Sequence, residues 1–192
     1  FDIVALYPMI LSVFFIINMP MIFGLLYGLL LLDERDDNTL TAVMVTPVSI
    51  TNYAAYRMFV VWLLSVTYVM LTALSSGLMR NVNILQLVPV ALVGALMGPM
   101  IMLLLAAFAR NKVEGMALVK GVGILMVGTL AAFFVTSDWQ IAFGILPSYW
   151  VAKAYWVLAD GGQPWLYLLM GTLYFSALIA LLLNVFLKRI RR

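Results

Sequence analysis

The sequence predicts an all-α, polytopic membrane helical bundle with five spans, and three observations carry that prediction. Apolar residues make up 66% of the chain and charged residues 10%, with a mean hydropathy of +1.11, far from the balance of a soluble domain. The apolar residues gather into five continuous runs, at about residues 4–32, 53–78, 88–109, 117–135 and 166–187. Each is near the roughly 20 residues a helix needs to cross about 30 Å of hydrocarbon. A membrane barrel would instead alternate apolar and polar residues over segments of about ten, and these runs do not alternate. Together they fill one transmembrane domain, residues 1–192. With no Cys in the chain, neither disulfides nor thiolate metal sites arise.

The first run reads as a true span rather than a cleaved signal. It is longer than a signal h-region, no cationic leader precedes it and no small-residue cleavage site follows. At that length it must tilt, kink at Pro20 or extend past the hydrocarbon. Of the eleven Lys and Arg residues, nine fall on one side of the membrane. Arg35 and Arg57 lie in the first connection, Arg110, Lys112 and Lys120 around the third, and Lys188, Arg189, Arg191 and Arg192 at the C-terminal end. Arg80 and Lys153 fall on the other side. The positive-inside bias therefore puts residues 33–57, the loop 110–120 and the C-terminus in the cytosol, and the start of the chain outside. A chain that starts outside without an initiator Met is expected to follow an upstream segment, such as one more span.

The connection between the first two runs, DERDDNTLTAVMVTPVSITNYAAYR, holds four of the eight acidic residues in its first five positions. Asp36, Asp37 or Asn38 is placed to cap a helix, with the acidic cluster at its positive dipole end. Leu40, Val43 and Met44 then fall at i, i+3 and i+4, an apolar stripe on a helix of about residues 38–45 that is too short to cross a bilayer. Pro47 turns Thr46 away from helical geometry and ends it. Ser49 or Thr51 caps the next helix, whose first turns carry Tyr53, Tyr56 and Arg57 at interfacial depth. On composition alone this is a capped helix resting on the headgroups with its acids solvated.

Two glycine pairs, Gly24 with Gly28 and Gly94 with Gly98, keep the small-xxx-small spacing that lets helices approach closely. Residues 136–165 collect Trp139, Phe143, Tyr149, Trp150, Tyr155, Trp156 and Trp165, the composition of an interfacial belt, with breaks at Gly144, Pro147 and the pair Gly161 and Gly162. No charge falls mid-span, where an Asp, Lys or Arg would cost roughly 2.5 to 3.5 kcal/mol. Lys120, close to the cytosolic end of its run, can snorkel outward. Among the uncharged polar residues, Asn18 beside Pro20 is the best candidate for a transport pathway, with Tyr149 and Trp150 in the aromatic segment as further candidates. A lining this uncharged suits an apolar or amphipathic cargo and suits a proton-coupled carrier poorly.

The acidic and basic run, the Thr39-Leu40 pair and the apolar turn ending in Thr46-Pro47-Val48-Ser49 resemble the coupling-helix region of ATP-binding-cassette permeases of the type-2 class. Arg110-Asn111-Lys112-Val113-Glu114-Gly115-Met116-Ala117, followed by Lys120, is similar to a cytosolic loop of small permeases of this class, often labelled fluoroquinolone or drug exporters. So is Leu146-Pro147-Ser148-Tyr149-Trp150 with Lys153, Ala154 and Trp156. The three stretches stand in the family's order and cover most of the chain, although the family has six spans with both termini inside and this chain offers five.

What the resemblance implies is a multi-pass permease subunit of an exporter in the cell membrane, moving a drug or lipid-like compound. It would pair with a second permease half, identical or not, and with soluble ATPase subunits that carry the ATP and Mg, so this chain itself would hold no cofactor and no metal. Glu34, Arg35, Asp37, Leu40, Val43, Met44 and Pro47 would form the joint to the ATPase. Residues 136–165 would form short helices that enter and leave the outer leaflet, and Gly24 and Gly28 are candidates for the seam between halves.

The residues themselves agree with that division of labour. No GxxxxGK[ST] phosphate loop occurs, and the cytosolic connections are too short to hold an ATPase domain. A membrane-embedded enzyme would need a catalytic constellation, yet there is no His and no Cys, and the acids cluster only in the first connection. That cluster lacks the second acidic helix that a metal-dependent phosphotransferase would set against it. A secondary carrier would show intramembrane charge or an inverted repeat. Membrane lipid is an expected partner and nucleic acid is not. A non-transporting scaffold and a membrane-embedded enzyme subunit stand as the alternatives.

Overall fold

The computed structural model describes residues 3–37, 49–79 and 82–190. Among them there are helices and no strands. Five helices are long and apolar enough to span a membrane: α1 (Ile3–Asp36), α2 (Ile50–Ser75), α3 (Ile84–Phe108), α4 (Lys112–Phe134) and, after the shorter α5 (Pro147–Ala159), α6 (Trp165–Ile190). Each spanning helix covers one of the apolar runs. The helix expected at 38–45, with Leu40, Val43 and Met44, and the break at Pro47 lie outside the described residues. Of the three ways to fit the first run, the helix length favours extension. The 34 residues of α1 rise roughly 51 Å at 1.5 Å each, well beyond about 30 Å of hydrocarbon.

Pro20 leaves its mark on α1 all the same. It lacks the N–H that would bond the Ile16 carbonyl, and its ring crowds that carbonyl. Just before it the helix winds wide, with a π turn over Leu11–Ile17 closed by the Asn18 N–H on the Val13 carbonyl. Ile16 on this wide turn packs where only glycine fits: a Cβ on Gly94 would stand 2.8 Å from Ile16 Cγ2. At this same level α3 is itself interrupted. The Leu96 N–H bonds the Val93 carbonyl and the Gly98 N–H bonds that of Ala95, because Pro99 has no N–H to offer. The Leu92 carbonyl, left without the Leu96 N–H, accepts from Trp62 Nε1 of α2 at 3.0 Å. In hydrocarbon no water relieves an orphaned carbonyl, so a side-chain donor from the next helix is the stabilising solution.

At the centre of the bundle stands α3, nearly four-fifths buried in its most apolar stretch, against half for α1 and about a fifth for α2, α4 and α6. Along it lies α1, with α2 and α6 on its flanks and α4 against α1. The tightest crossing joins Gly24 to Gly98: a Cβ on Gly24 would stand 2.5 Å from the Gly98 carbonyl oxygen, and one on Gly98 would stand 2.8 Å from Val61 of α2. The outward faces carry Leu26, Leu30, Phe59, Leu63, Ile124, Val127, Leu169 and Leu173 exposed. So much exposed apolar surface fits a lipid solvent and would be an aggregation liability in water.

Phe134 of α4 and Trp165 of α6 lie at the same end of the bundle, so the residues between them must leave and return there. They do so as a short 3₁₀ helix (Asp138–Ile145) followed by α5. The turn between the two dips into the bundle. A Cβ on Gly128 would overlap Leu146, and the Tyr174 hydroxyl donates to the Ile145 carbonyl at 2.8 Å. At 1.5 Å per residue Gly128 lies roughly 9 Å in from Phe134, and Tyr174 roughly 14 Å in from Trp165. Pro147 opens α5 where its missing N–H costs nothing. At its far end Gly161 takes a φ of 81°, and the Gly162 N–H closes on the Val157 carbonyl at 2.8 Å. With 13 residues, α5 is too short to cross. The short helices expected at 136–165 are therefore present, as a unit that leaves and re-enters the bundle at one end.

Candidate functional site

The most heavily bonded polar cluster gathers at the charged end, where α1, α3 and α6 finish and α2 and α4 begin. Asp33, Glu34, Arg35 and Asp36 form the last turn of α1. Glu34 pairs with Arg57 and accepts from the Tyr53 hydroxyl. Tyr53 and Arg57 stand four residues apart on one face of α2, which is why both reach one carboxylate. Arg57 also donates to the Tyr53 oxygen from Nε at 3.0 Å and Nη2 at 2.6 Å. These side chains are about four-fifths buried, with 18% of Arg57 and 23% of Glu34 exposed.

Arg35 faces the other way, onto the end of α3. Its Nη1 donates to the Ala109 carbonyl at 3.1 Å and its Nη2 to that of Ala106 at 3.2 Å, while Arg189 of α6 donates to Ala107 at 2.6 Å. The last carbonyls of a helix have no partner within it and carry its negative dipole end, so two guanidinium groups answer both needs. Phe186 of α6 lies beneath Arg35, 6.0 Å from its ring centre to the guanidinium carbon.

On the third side lies α4. Lys112 Nζ meets Asp33 Oδ2 at 2.7 Å, and the Lys112 backbone N–H donates to Asp36 Oδ2 at 3.1 Å. Asn111 and Glu114 complete this helix start, with the Glu114 N–H on Asn111 Oδ1 at 2.9 Å and the Arg110 N–H on Glu114 Oε2 at 2.7 Å. Asp36, one of the three residues placed to cap a helix in this connection, accepts from the first turn of α4. The reason is that α1 stays helical through it, which sets Asp33 and Asp36 on one face toward Lys112. Asp37 is exposed and closes α1 with its N–H on the Asp33 carbonyl. Of the two expected caps of α2, Ser49 rather than Thr51 fills the role, accepting from the Asn52 N–H at 3.2 Å.

A single turn of α1 is thus bonded to α2, α3 and α4, and α6 holds the same end of α3. Both ends of the connection 37–49 thus adjoin one bonded set of helix ends. The family model for the Rv2686c-like fluoroquinolones export permease protein matches residues 1–183 of the chain. The chain belongs to that permease family. Two relatives, the fluoroquinolones export permease proteins MT2760 and Rv2686c of Mycobacterium tuberculosis strains CDC 1551 / Oshkosh and H37Rv, are each 38% identical over 187 residues. The match covers 97% of this chain and 74% of each relative. No solved structure matches.

Within this permease Tyr149 and Trp150 lie at the end opposite the charged cluster, Asn18 about midway along α1, and Gly24 and Gly28 between Asn18 and the charged end. Asn18 is half-buried where the π turn of α1 gives way to regular helix. Tyr149 is buried against Trp150 and Trp156, and Trp150 Nε1 donates to the Gly144 carbonyl at 2.9 Å. Both rings therefore pack the re-entrant unit itself. Gly24 and Gly28, candidates for a seam between halves, face α3 of the same chain: Gly24 meets Gly98 and Ile101, and a Cβ on Gly28 would stand 2.8 Å from Leu105. That face is already filled inside the subunit.

Three polar contacts of the permease escape sequence reading because each joins distant segments. Trp156 Nε1 donates to Ser12 Oγ at 2.7 Å, pinning α5 to α1. Thr129 and Ser148 hydroxyls meet at 2.8 Å, and Ser148 donates to the Leu125 carbonyl at 3.0 Å. Lys153 Nζ donates to Gln140 Oε1 at 2.6 Å, and Gln140 Nε2 passes on to the Ala132 carbonyl at 2.9 Å. Lys112 and Arg189 at the charged end did carry a local signal, a basic residue beside a helix end, but not the identity of their partners.

Proposed function

We propose that this chain is the transmembrane permease subunit of an ATP-driven exporter of the type-2 class, working with a second permease half and with separate ATPase subunits that hold the ATP and Mg. The charged end faces the cytosol, in keeping with the nine basic residues gathered there. The segment 38–45, expected from the sequence as a helix, docks on the ATPase through Leu40, Val43 and Met44, with Glu34, Arg35, Asp37 and Pro47 framing it. The observation that carries this reading is the clasp between its two flanks: Glu34 at the end of α1 is bonded to Tyr53 and Arg57 at the start of α2. A push on the intervening segment is therefore delivered to two spans as one unit, and through Arg35, Asp33 and Asp36 to α3 and α4.

Movement at the charged end then reaches the π turn of α1 and the interruption of α3, which lie against each other at Ile16 and Gly94. Two irregular stretches side by side are the softest place in the bundle to bend. The cargo is an apolar or amphipathic compound, a reading supported by the uncharged spans and by the fluoroquinolone named in the relatives' descriptions.

The test is reconstitution of the permease with its ATPase in proteoliposomes, comparing the native chain with Val43→Asp. A carboxylate pressed into an apolar cleft without a partner is expected to weaken docking by about tenfold or more, each 1.4 kcal/mol being a factor of ten. Drug-stimulated ATP hydrolysis should fall with it while the permease stays folded. Full stimulation by the Val43→Asp protein would remove the coupling assignment.

A further inference from the structure

We propose that the groove between the charged ends of α3 and α6 is a binding site for the phosphate headgroup of an anionic phospholipid. The groove has a volume of about 390 Å³ and is lined by Ala107, Val185, Lys188 and Arg189. Two apolar residues and two cations are the division that a phospholipid offers where its acyl chains meet its phosphate.

Depth and charge both favour this occupant. The apolar run of α6 ends at Leu187, so Lys188 and Arg189 stand where hydrocarbon gives way to headgroups. Three acidic side chains at this end are bonded elsewhere: Glu34 to Arg57, Asp33 to Lys112, and Asp36 to the Lys112 N–H. Among the described residues no ion pair involves Lys188 or Arg189. Arg189 spends one N–H on the Ala107 carbonyl, which leaves the rest of its fork and the Lys188 ammonium for an anion. Arg35 lies close enough to repel Arg189, and Asp36 offsets part of that charge at Arg35 but not at Arg189 itself, for which no ion pair is found among the described residues. A helix C-terminus supplies only about half a negative charge, so two guanidinium groups on α3 overfill it. The excess of positive charge next to a lipid-exposed groove calls for an anion from the membrane.

This inference rests on the membrane setting and stands whether or not the exporter reading holds. The full chain is purified from equimolar phosphatidylglycerol and phosphatidylcholine, washed with detergent, and its retained lipids are counted by native mass spectrometry. Native protein is expected to keep phosphatidylglycerol and lose phosphatidylcholine. Lys188→Gln, which leaves the Arg189 bond to α3 in place, is expected to reduce retention about fivefold, the effect of one basic residue at a charged lipid surface. Lys120→Gln on the exposed face of α4 serves as the control and should retain lipid as the native chain does. Equal retention of both lipids, or unchanged retention in Lys188→Gln with a native melting profile, would overturn the proposal. So would displacement of the retained lipid by millimolar inorganic phosphate, which would mark a site for the free ion.

Discussion

Glu34 takes two donors from one face of α2, and its surroundings decide what its loss would do. With both charges mostly out of water, Glu34→Gln strands the Arg57 guanidinium and is expected to cost about 1–3 kcal/mol. The pair Asp33 and Lys112, with 36% and 47% of the two side chains exposed, is screened by solvent, and Lys112→Gln should cost no more than about 1 kcal/mol. Reversible unfolding in detergent reads both. A double-mutant cycle of Glu34→Gln and Arg57→Gln should return a coupling above about 1 kcal/mol, and strictly additive losses would mean that the clasp is not a unit.

Helix packing turns on glycines that look alike in sequence and differ in place. Gly24→Ala would drive a methyl group to 2.5 Å from the Gly98 carbonyl, backbone that cannot step aside, and is expected to destabilise by about 1–3 kcal/mol. Gly121 lies in α4 with nothing near its Cβ position, so Gly121→Ala should be neutral or stabilising by up to about 1 kcal/mol through helix propensity. Melting temperatures of the two variants should move in opposite directions, or at least far apart. A large loss at Gly121 would point to an unrecognised contact there. The contrast also marks what was legible beforehand. Span positions followed from apolar length, and Ser49 as a cap followed from local chemistry, since both depend on neighbours in sequence. The bond of Asp36 to the Lys112 N–H was not legible, because Lys112 lies far along the chain and local chemistry carries no signal of it. The glycine spacing correctly announced close packing at Gly24 and Gly28, but spacing carries no information on whether the partner helix belongs to the same chain. Pro20 flagged a disturbed helix without showing that the disturbance would meet an interruption of α3 at Ile16 and Gly94.

The whole molecule is asymmetric between its ends, and that asymmetry can be read in a cell. One end holds the clasp and the basic groove, and the other holds the re-entrant unit with exposed Trp139 and Trp165. Because the chain has no Cys, single cysteines report without interference. Asp37→Cys marks the charged end, while Ser137→Cys and Gln163→Cys mark the two flanks of the re-entrant unit, all at exposed positions. With a membrane-impermeant maleimide, Ser137→Cys and Gln163→Cys should be labelled in intact cells, and Asp37→Cys only after permeabilisation. The first two must share a side because α5 is too short to cross and its turn ends at the depth of Gly128 and Tyr174. Labelling of residues 137 and 163 from opposite sides would mean that α5 spans the membrane with its 3₁₀ neighbour, which the packing of Leu146 against α4 opposes. Labelling of residue 37 from outside would invert the molecule and put the clasp out of reach of any cytosolic ATPase, so this experiment bears on the coupling proposal before a transport assay is built.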